Sequence, residues 1–215
     1  MRKSKSYFLL HKSMVKLANN CIDYTQIEFG NPMKGKDGKY FIGTTLESED
    51  ILFQLKKLKC KSGVGSTFDV QVTQESNIDL LREAEEQMLA LAKDNKDKWF
   101  PDQEITDDYL DNAFMSFIKP IKKSNEVNFR MRTSSRLGVY NVAKEEVDSE
   151  DVEEGKGCSC IAQLSGIWFT KSRFGVVWKV FQIKMNQDKK PKEMCLFDDA
   201  DDDDCDEMEN AFPEE

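Results

Sequence analysis

The sequence predicts a mainly β protein, a small closed barrel with one long helix between its middle strands and a disordered acidic tail. Three observations lead to this fold class. Short segments rich in β-branched and aromatic residues recur between turn signals. Only one segment has a long, regular helical period. The last twenty residues contain eleven acidic residues and no basic one, a composition typical of disorder.

Length and composition allow one well-filled core. The chain has 215 residues, of which 39% are apolar and 33% charged, so we expect one domain with tails. No apolar run approaches the ~18 residues of a membrane-spanning helix. The first apolar run, residues 7–10, is shorter than the roughly 7–15 residues of a secretory signal. We therefore expect an intracellular protein.

The first half of the chain contains four predicted strands and the long helix. Residues 21–30, 40–46, 51–58 and 67–73 have strand composition, and the turn at residues 36–39 separates the first two. A helix is predicted over residues 76–93, with Ser76 and Asp79 as a capping box. A second, weaker helical pattern covers residues 106–119 and ends at Pro120.

The second half returns to strands. Residues 126–133 and 137–143 have strand character, and residues 160–169 and 175–185 form the clearest hairpin in the chain. The last of these strands is apolar on both sides, as expected in a closed barrel. Five or more strands with a helix between the middle ones fit a small barrel better than a sandwich.

Charge divides the chain into a basic body and two acidic segments. The formal net charge is −9, but residues 1–195 alone carry +2, because the acidic residues of the tail are excluded. A second acidic segment, residues 143–156, holds seven acidic residues and two lysines, and without it the body carries +7. We therefore predict a domain over residues 1–195, with an acidic loop insert at about 143–156, and a tail over residues 196–215.

The acidic tail has two interpretations. It is either a solubilising appendage or a docking peptide, and the aromatic Phe212 near its end favours docking, because a purely solvating segment has no use for an exposed ring. A calcium loop is excluded, because Asp201, Asp202, Asp203 and Asp204 are consecutive and lack the spacing and glycine of an EF-hand. The predicted partner-binding residues are these four aspartates and Phe212.

The sequence gives little support to an enzyme. His11 is the one histidine, and no Gly-x-Ser-x-Gly motif is present. Residues 61–67 resemble a phosphate-binding loop but lack the lysine before Ser66 or Thr67, so we interpret them as a glycine-hinged loop. The six cysteines contain no CxxC pair and are interpreted as reduced, mostly buried thiols. We expect no catalytic residues, no cofactor and no metal.

Basic residues interleaved with aromatic ones are the main functional signal. Single-stranded nucleic acid suits this pairing, because cations follow the phosphates while rings stack on unpaired bases at about 1–3 kcal/mol per base. Trp178 is expected in the core, whereas Phe129, Trp168 and Phe174 are equally compatible with core and surface. The predicted binding residues are Lys57, Lys59, Lys61, Phe129, Arg130, Arg132, Arg136, Trp168, Lys171, Arg173 and Phe174.

An acidic tail beside such a surface has a physical rationale. A flexible polyanion tethered near a basic groove occupies it at high effective concentration and competes with the phosphate backbone. Nucleic acid that displaces the tail frees it to bind a partner. We therefore expect a basic groove that the tail covers in the absence of nucleic acid, and a displaced tail that recruits a partner.

The hairpin of residues 160–169 and 175–185 and the acidic tail resemble those of the phage T7-type single-stranded DNA-binding proteins. The segments Leu-Ser-Gly-Ile-Trp-Phe at 164–169 and Gly-Val-Val-Trp-Lys-Val-Phe-Gln-Ile at 175–183 are most similar to counterparts in nucleocytoplasmic large DNA viruses of algae and protists. The resemblance implies an OB-fold and sequence-tolerant binding of single-stranded DNA. It also implies roles in viral DNA replication, recombination and repair at replication sites in the host cell.

The same resemblance implies that the tail contacts the replicative DNA polymerase and the helicase–primase, and that the protein can form a homodimer. Two features depart from the phage pattern. Phe212 is followed by three further residues rather than closing the chain, and the acidic loop at 143–156 has no counterpart there. The rival hypothesis is an acidic-tailed interaction protein, such as a chaperone or transcription-associated factor, without a nucleic-acid groove.

Overall fold

The structure is a computed structural model that describes residues 22–186. These residues form ten strands in one sheet and two helices, which confirms the prediction of a mainly β protein. The elements in chain order are β1 (Ile27–Phe29), β2 (Met33–Lys34), β3 (Tyr40–Leu46), β4 (Ile51–Cys60), β5 (Thr67–Val72), α1 (Glu75–Trp99), α2 (Asp107–Ala113), β6 (Phe114–Met115), β7 (Ile118–Pro120), β8 (Val127–Tyr140), β9 (Gly157–Phe169) and β10 (Phe174–Met185).

Five strands form a circuit of pairings that returns to its start. β4 pairs with β5, β5 with β8, β8 with β10, β10 with β9, and β9 with β4. All of these pairings are antiparallel except that of β8 with β10, which is parallel. β1, β2 and β3 extend the sheet from β9, while β6 and β7 pair with β10 and β8. Long helix α1 connects β5 to the later strands.

Strand alternation separates an apolar interior from a polar exterior. In β5, Phe68, Val70 and Val72 are buried, whereas the residues between them are partly exposed. Trp178 lies in the core, as predicted, and its ring packs against those of Phe53, Phe117 and Phe129 at centroid distances of 5.3–5.6 Å. The side chains that point away from this core are the ones available to a ligand.

Helix α1 is longer than the sequence predicts. It starts at Glu75 and ends at Trp99, and its N-cap residue Gln74 makes no side-chain capping bond, so the predicted capping box is wrong. The charged run at 93–98 remains helical because Trp99 anchors its end, with its ring 5.1 Å from that of Phe29 and 5.8 Å from that of Phe169. Burial of this aromatic anchor outweighs the polar composition of the last turns.

The second predicted helix is shortened by strand pairing. α2 starts after Thr106, whose hydroxyl accepts a hydrogen bond from the Tyr109 N–H at 3.2 Å, and ends at Ala113. The rest of the predicted helix forms β6 and β7, because their backbones pair with β10 and β8. The two predicted strands at 126–133 and 137–143 are one strand, β8, whose register against β10 is interrupted. Part of the first predicted strand forms a 3₁₀ turn, Tyr24–Gln26.

The acidic loop at 143–156 packs against the end of β4. The N–H of Cys60 donates to the carbonyl of Lys156 at 2.9 Å, and the N–H of Gly155 donates to the carbonyl of Cys60 at 2.8 Å. Val152 is 2% exposed and joins the core, while the loop's acidic side chains are exposed. The insert is therefore an ordered acidic surface beside the end of β4.

Three cysteines in the described part of the chain are buried free thiols, as predicted: Cys60, Cys158 and Cys160. Burial raises the pKa of Cys160 to about 12. The other three cysteines, His11 and the predicted tail lie outside the described residues.

Gly166 is expected to be essential for the pairing of β9 with β3. Its φ is +150°, and a Cβ there would lie 2.2 Å from the carbonyl oxygen of Ile42. We expect Gly166→Ala to lower the free energy of unfolding by about 3 kcal/mol or more, because the strands would have to separate. Urea denaturation measures this change.

The matched control is Gly43→Ala in the directly opposed position of β3. A Cβ on Gly43 meets only the Phe41 ring, at 3.8 Å, so the free energy of unfolding should change by less than about 1 kcal/mol. Equal effects of the two substitutions would contradict this account of Gly166.

Candidate nucleic-acid interface

Three adjacent strands present polar and basic side chains on the outer side of the circuit. In the β5–β8 pairing, Phe68, Val70, Phe129 and Met131 are buried, so the residues between them point outward. The Lys61 N–H donates to the Asp69 carbonyl at 2.9 Å, which places β4 beside this row. The outward cross-strand neighbours are Lys59 with Gln71 and Asn128, Lys61 with Asp69 and Arg130, and Thr67 with Arg132.

Arg130 is engaged by an acidic neighbour. Its Nε and one terminal nitrogen donate to the two carboxylate oxygens of Asp69 at 2.7 and 2.8 Å. These hydrogen bonds raise the pKa of Arg130 further above its already high value. The Arg130 side chain is still 67% exposed. The charge of this predicted DNA-binding residue is therefore largely neutralised in the free protein.

Arg132 has a different environment. It lies opposite Lys179 in the parallel β8–β10 pairing, and neither side chain forms an ion pair with any residue between 22 and 186. Lys179 was missed by the sequence analysis, although it follows the core residue Trp178 and strand alternation turns it outward. Lys119, which pairs with Asn128 across β7–β8, is exposed and is likewise not among the predicted binding residues. Among residues 22–186, the cations of this surface that form no ion pair are Lys59, Lys61, Lys119, Arg132 and Lys179.

Lys57 does not join this row. Leu55 and Leu58 are both buried, and the two exposed lysines between them form an irregularity in the β4–β9 register, with φ +55° at Lys57. The Thr73 hydroxyl donates to the Lys57 carbonyl at 3.3 Å, close to the start of α1. The bulge therefore separates Lys57 from Lys59 and Lys61.

Phe129 and Phe174 are core residues, and their predicted role in base stacking is wrong. They are 0% and 1% exposed. The Phe129 ring meets Trp178 edge-on at 5.6 Å, and the Phe174 ring stacks on Phe169 at 4.9 Å. Alternation along β8 turns Arg130 and Arg132 outward and therefore turns Phe129 inward.

Trp168 lies on the outer side of the sheet and is half-buried. It faces Phe41 of β3 and Gly175 of β10. A Cβ on Gly175 would lie 3.1 Å from the Trp168 ring, so the missing side chain makes room for the indole. Met33, opposite Phe41, and Met115, opposite Gly175, are 61% and 39% exposed. We call the two rings, Phe41 and Trp168, together with the flanking Met33 and Met115, the aromatic strip.

The hairpin tip between β9 and β10 holds two exposed cations in an ordered turn. The Thr170 hydroxyl accepts hydrogen bonds from the N–H groups of Ser172 and Arg173 at 3.4 and 3.1 Å. The Tyr109 hydroxyl donates to the Lys171 carbonyl at 2.8 Å and ties the tip to α2. Lys171 and Arg173 are thus presented on a fixed backbone next to the aromatic strip.

Arg136 lies in the irregular segment of β8. Its N–H donates to the Ser134 hydroxyl at 3.2 Å, and its side chain is exposed. The tail residues Asp201, Asp202, Asp203, Asp204 and Phe212 lie outside the described residues. Between residues 22 and 186, no group of His, Cys, Asp or Glu side chains could hold a metal ion, and neither helix is long and apolar enough to cross a membrane.

Comparisons with known proteins identify a family and several solved structures. A family model described as "Family of unknown function (DUF5871)" matches residues 56–199. No curated protein matches the chain.

Similar solved structures include the single-stranded DNA-binding protein from bacteriophage Enc34, at 14% identity and TM-score 0.42, covering 80% of this chain and 96% of that one. The same protein in complex with single-stranded DNA matches at 14% identity and TM-score 0.42, covering 75% of this chain and 93% of that one. Bacteriophage T7 gp2.5, a single-stranded DNA-binding protein, matches at 8% identity and TM-score 0.43, covering 68% of this chain and 97% of that one.

Proposed function

The chain belongs to the family of unknown function DUF5871, and we propose that it binds single-stranded DNA without strict sequence preference. One observation carries this proposal. Cations on the outward rows of β4, β8 and β10, without ion-pair partners in the described part of the chain, share the outer side of the sheet with the half-exposed aromatic strip. The protein acts by binding alone and is not an enzyme.

The chemistry of unpaired strands explains why this surface suits them. Each cation that neutralises a phosphate releases a condensed counterion, which favours binding at low salt. Exposed ring faces stack on bases only when those bases are unpaired, and stacking tolerates any sequence. Duplex DNA offers the same phosphates but hides its base faces, so the aromatic strip favours single strands.

The strand order supports an OB-fold barrel for this domain. With β4, β5, β8, β9 and β10 taken as barrel strands 1 to 5, the circuit runs 1-2-3-5-4 and returns to 1. OB-folds bind oligonucleotides on the face of strands 2 and 3 and on the loops that follow strands 1 and 4. These correspond to the β5–β8 face, to residues 61–66 and to the tip at 170–173.

We propose that residues 1–195 form the DNA-binding domain and that the tail, residues 196–215, screens it. The tail competes with DNA for the cations, and its aspartates and Phe212 recruit the replicative DNA polymerase and helicase–primase. Such a protein would act, as a monomer or homodimer, in viral DNA replication, recombination and repair at replication sites in the host cell. The eleven acidic residues of the tail support the electrostatic part of this proposal.

The outward cations are expected to supply the salt-dependent part of DNA binding. We expect Lys59→Ala/Arg132→Ala to weaken oligo(dT) binding about tenfold and to make the slope of log affinity against log salt about 1.4 shallower, because two phosphate contacts are lost. Fluorescence anisotropy at several salt concentrations measures both quantities.

The matched control for that variant is Arg82→Ala/Lys98→Ala, which removes the same charge from the exposed surface of α1. It should retain both the affinity and the salt slope. If both variants lose affinity equally, only the net charge of the protein matters. If neither variant loses affinity, the body lacks a nucleic-acid groove, and the rival hypothesis of an acidic-tailed interaction protein is favoured.

Asp69 is expected to restrain DNA binding by neutralising Arg130. We expect Asp69→Asn to tighten oligo(dT) binding severalfold, because it frees the Arg130 guanidinium at a stability cost of about 1 kcal/mol or less. Asp79→Asn on α1 changes the net charge equally and should have a much smaller effect. Equal tightening by the two variants would show that Asp69 has no local role.

The tail is expected to compete with DNA. Deletion of residues 196–215 should tighten oligo(dT) binding, most strongly at low salt, where the tail's charges are least screened. A full-length variant with the tail's Asp and Glu replaced by Asn and Gln should bind like the deletion. Unchanged or weaker binding in both variants would refute the screening mechanism.

A further inference from the structure

A cation-lined cavity lies on the side of the circuit away from β5. It has a volume of about 450 Å³ and opens to the surface. Its walls come from the middle of β4, the end of β8, the loop after β8, and the paired segments of β9 and β10. The lining residues include Gln54, Lys56, Tyr140, Lys144, Gln182 and Lys184.

Two neighbouring rows of outward side chains build this cavity. In the first, Tyr140, Lys184 and Ser159 are directly opposed across β8, β10 and β9. In the second, Gly138, Gln182, Ile161 and Gln54 are opposed across β8, β10, β9 and β4. The residues between the two rows, Val139, Ile183 and Cys160, are buried, so the row side chains project away from the core.

Three lysines from three different elements converge on the cavity. Lys56 comes from β4, Lys184 from β10 and Lys144 from the loop after β8, and no carboxylate among residues 22–186 lines the cavity. None of the three ammonium groups forms an ion pair with any residue between 22 and 186.

The acidic residues nearest in sequence do not compensate these lysines. The Glu145 carboxylate accepts a hydrogen bond from the Asn141 amide at 2.8 Å, and Glu146 pairs with Tyr140 through an isolated backbone bridge. Neither lines the cavity. Because like charges repel, the convergence of the three lysines favours a bound anion between them.

A flat ring lies beside the lysines. A Cβ on Gly138 would lie 2.9 Å from the Tyr140 hydroxyl and 3.0 Å from its ring carbon Cε2, so the phenol covers the glycine on the outer side of β8. Gln182 and Asn186 add amide groups to the wall. A cavity of this size suits a ligand larger than inorganic phosphate. A ring, amides and clustered ammonium groups together match a base attached to a phosphate.

We propose that this cavity binds one nucleotide unit of the DNA strand, with its phosphate on Lys56, Lys144 and Lys184 and its base on Tyr140. This inference rests on the proposed function. Lys179, which lies opposite Arg132, and Lys184 of the cavity are both outward residues of β10, about 17 Å apart at roughly 3.3 Å per residue. The strand therefore continues along β10 from the β5–β8 face to the cavity.

The experiment compares 5′-labelled oligo(dT) of increasing length with the full-length protein. For the longest oligonucleotide, we expect Lys56→Gln/Lys184→Gln to weaken binding about tenfold and to make the salt slope about 1.4 shallower. For the shortest oligonucleotide that binds, we expect wild-type affinity, because that strand does not reach the cavity. Lys59→Gln/Arg132→Gln, the matched pair on the outward rows of β4 and β8, should weaken binding at every length.

Two further substitutions separate a binding role from a folding defect. Tyr140→Phe keeps the ring and should bind the longest oligonucleotide like wild type, whereas Tyr140→Leu should lose about tenfold, in line with the loss of one base stack. Lys144→Gln alters an exposed loop residue and should lose severalfold with unchanged thermal unfolding. Wild-type binding at every length by the Lys56→Gln/Lys184→Gln variant would overturn the proposal.

A titration with free thymidine 5′-diphosphate distinguishes the two possible sources of the nucleotide. We expect no saturable binding at micromolar concentration, because one unit alone lacks the contacts of the rest of the strand. Micromolar binding that requires Lys184 would assign the cavity to a free nucleotide and overturn the strand assignment. Failure of every oligonucleotide to bind the wild-type protein would refute the proposed function itself, independently of this cavity.

Discussion

The position of β9 is the constraint on which the rest of the structure depends. This strand pairs with β10 along most of its length, with β4 along its first part and with β3 along its last part. Its pairing with β10 closes the circuit, and closure leaves the five strands of the circuit with an inside and an outside. Every second residue then enters the core, and the charged residues between them must face solvent. Both proposed binding surfaces are consequences of this alternation.

Cations on the strands differ from those on the helix in how they are neutralised. Lys93 and Lys96 of α1 pair with Asp111 and Asp107 of α2, and these contacts join the two helices. On the outward strand rows, Arg130 has a carboxylate partner, while Arg132 and Lys179 have none within residues 22–186. Lys93 and Lys96 therefore help to hold α1 against α2, whereas Arg132 and Lys179 remain available to an anionic ligand.

Glycine and aromatic positions complement one another on the outer side of the sheet. Trp168 lies against Gly175, Phe41 against Gly166 and Tyr140 against Gly138. In each case, the absent side chain lets a ring approach the backbone of the sheet. The rings are half-buried, which fixes their orientation and keeps part of each ring at the surface.

The sequence by itself determined the class of fold, most of the strands, the long helix and the partition of charge, because these depend on local periodicity and composition. It also indicated that Trp178 is buried. It did not determine that α1 continues to Trp99, because an aromatic contact distant in sequence stabilises that end. Strand alternation makes neighbours such as Phe129 and Arg130 face opposite ways, but only the tertiary structure decided which of them entered the core. The convergence of Lys56, Lys144 and Lys184 could not be predicted, because it arises from the pairing of strands far apart in the chain.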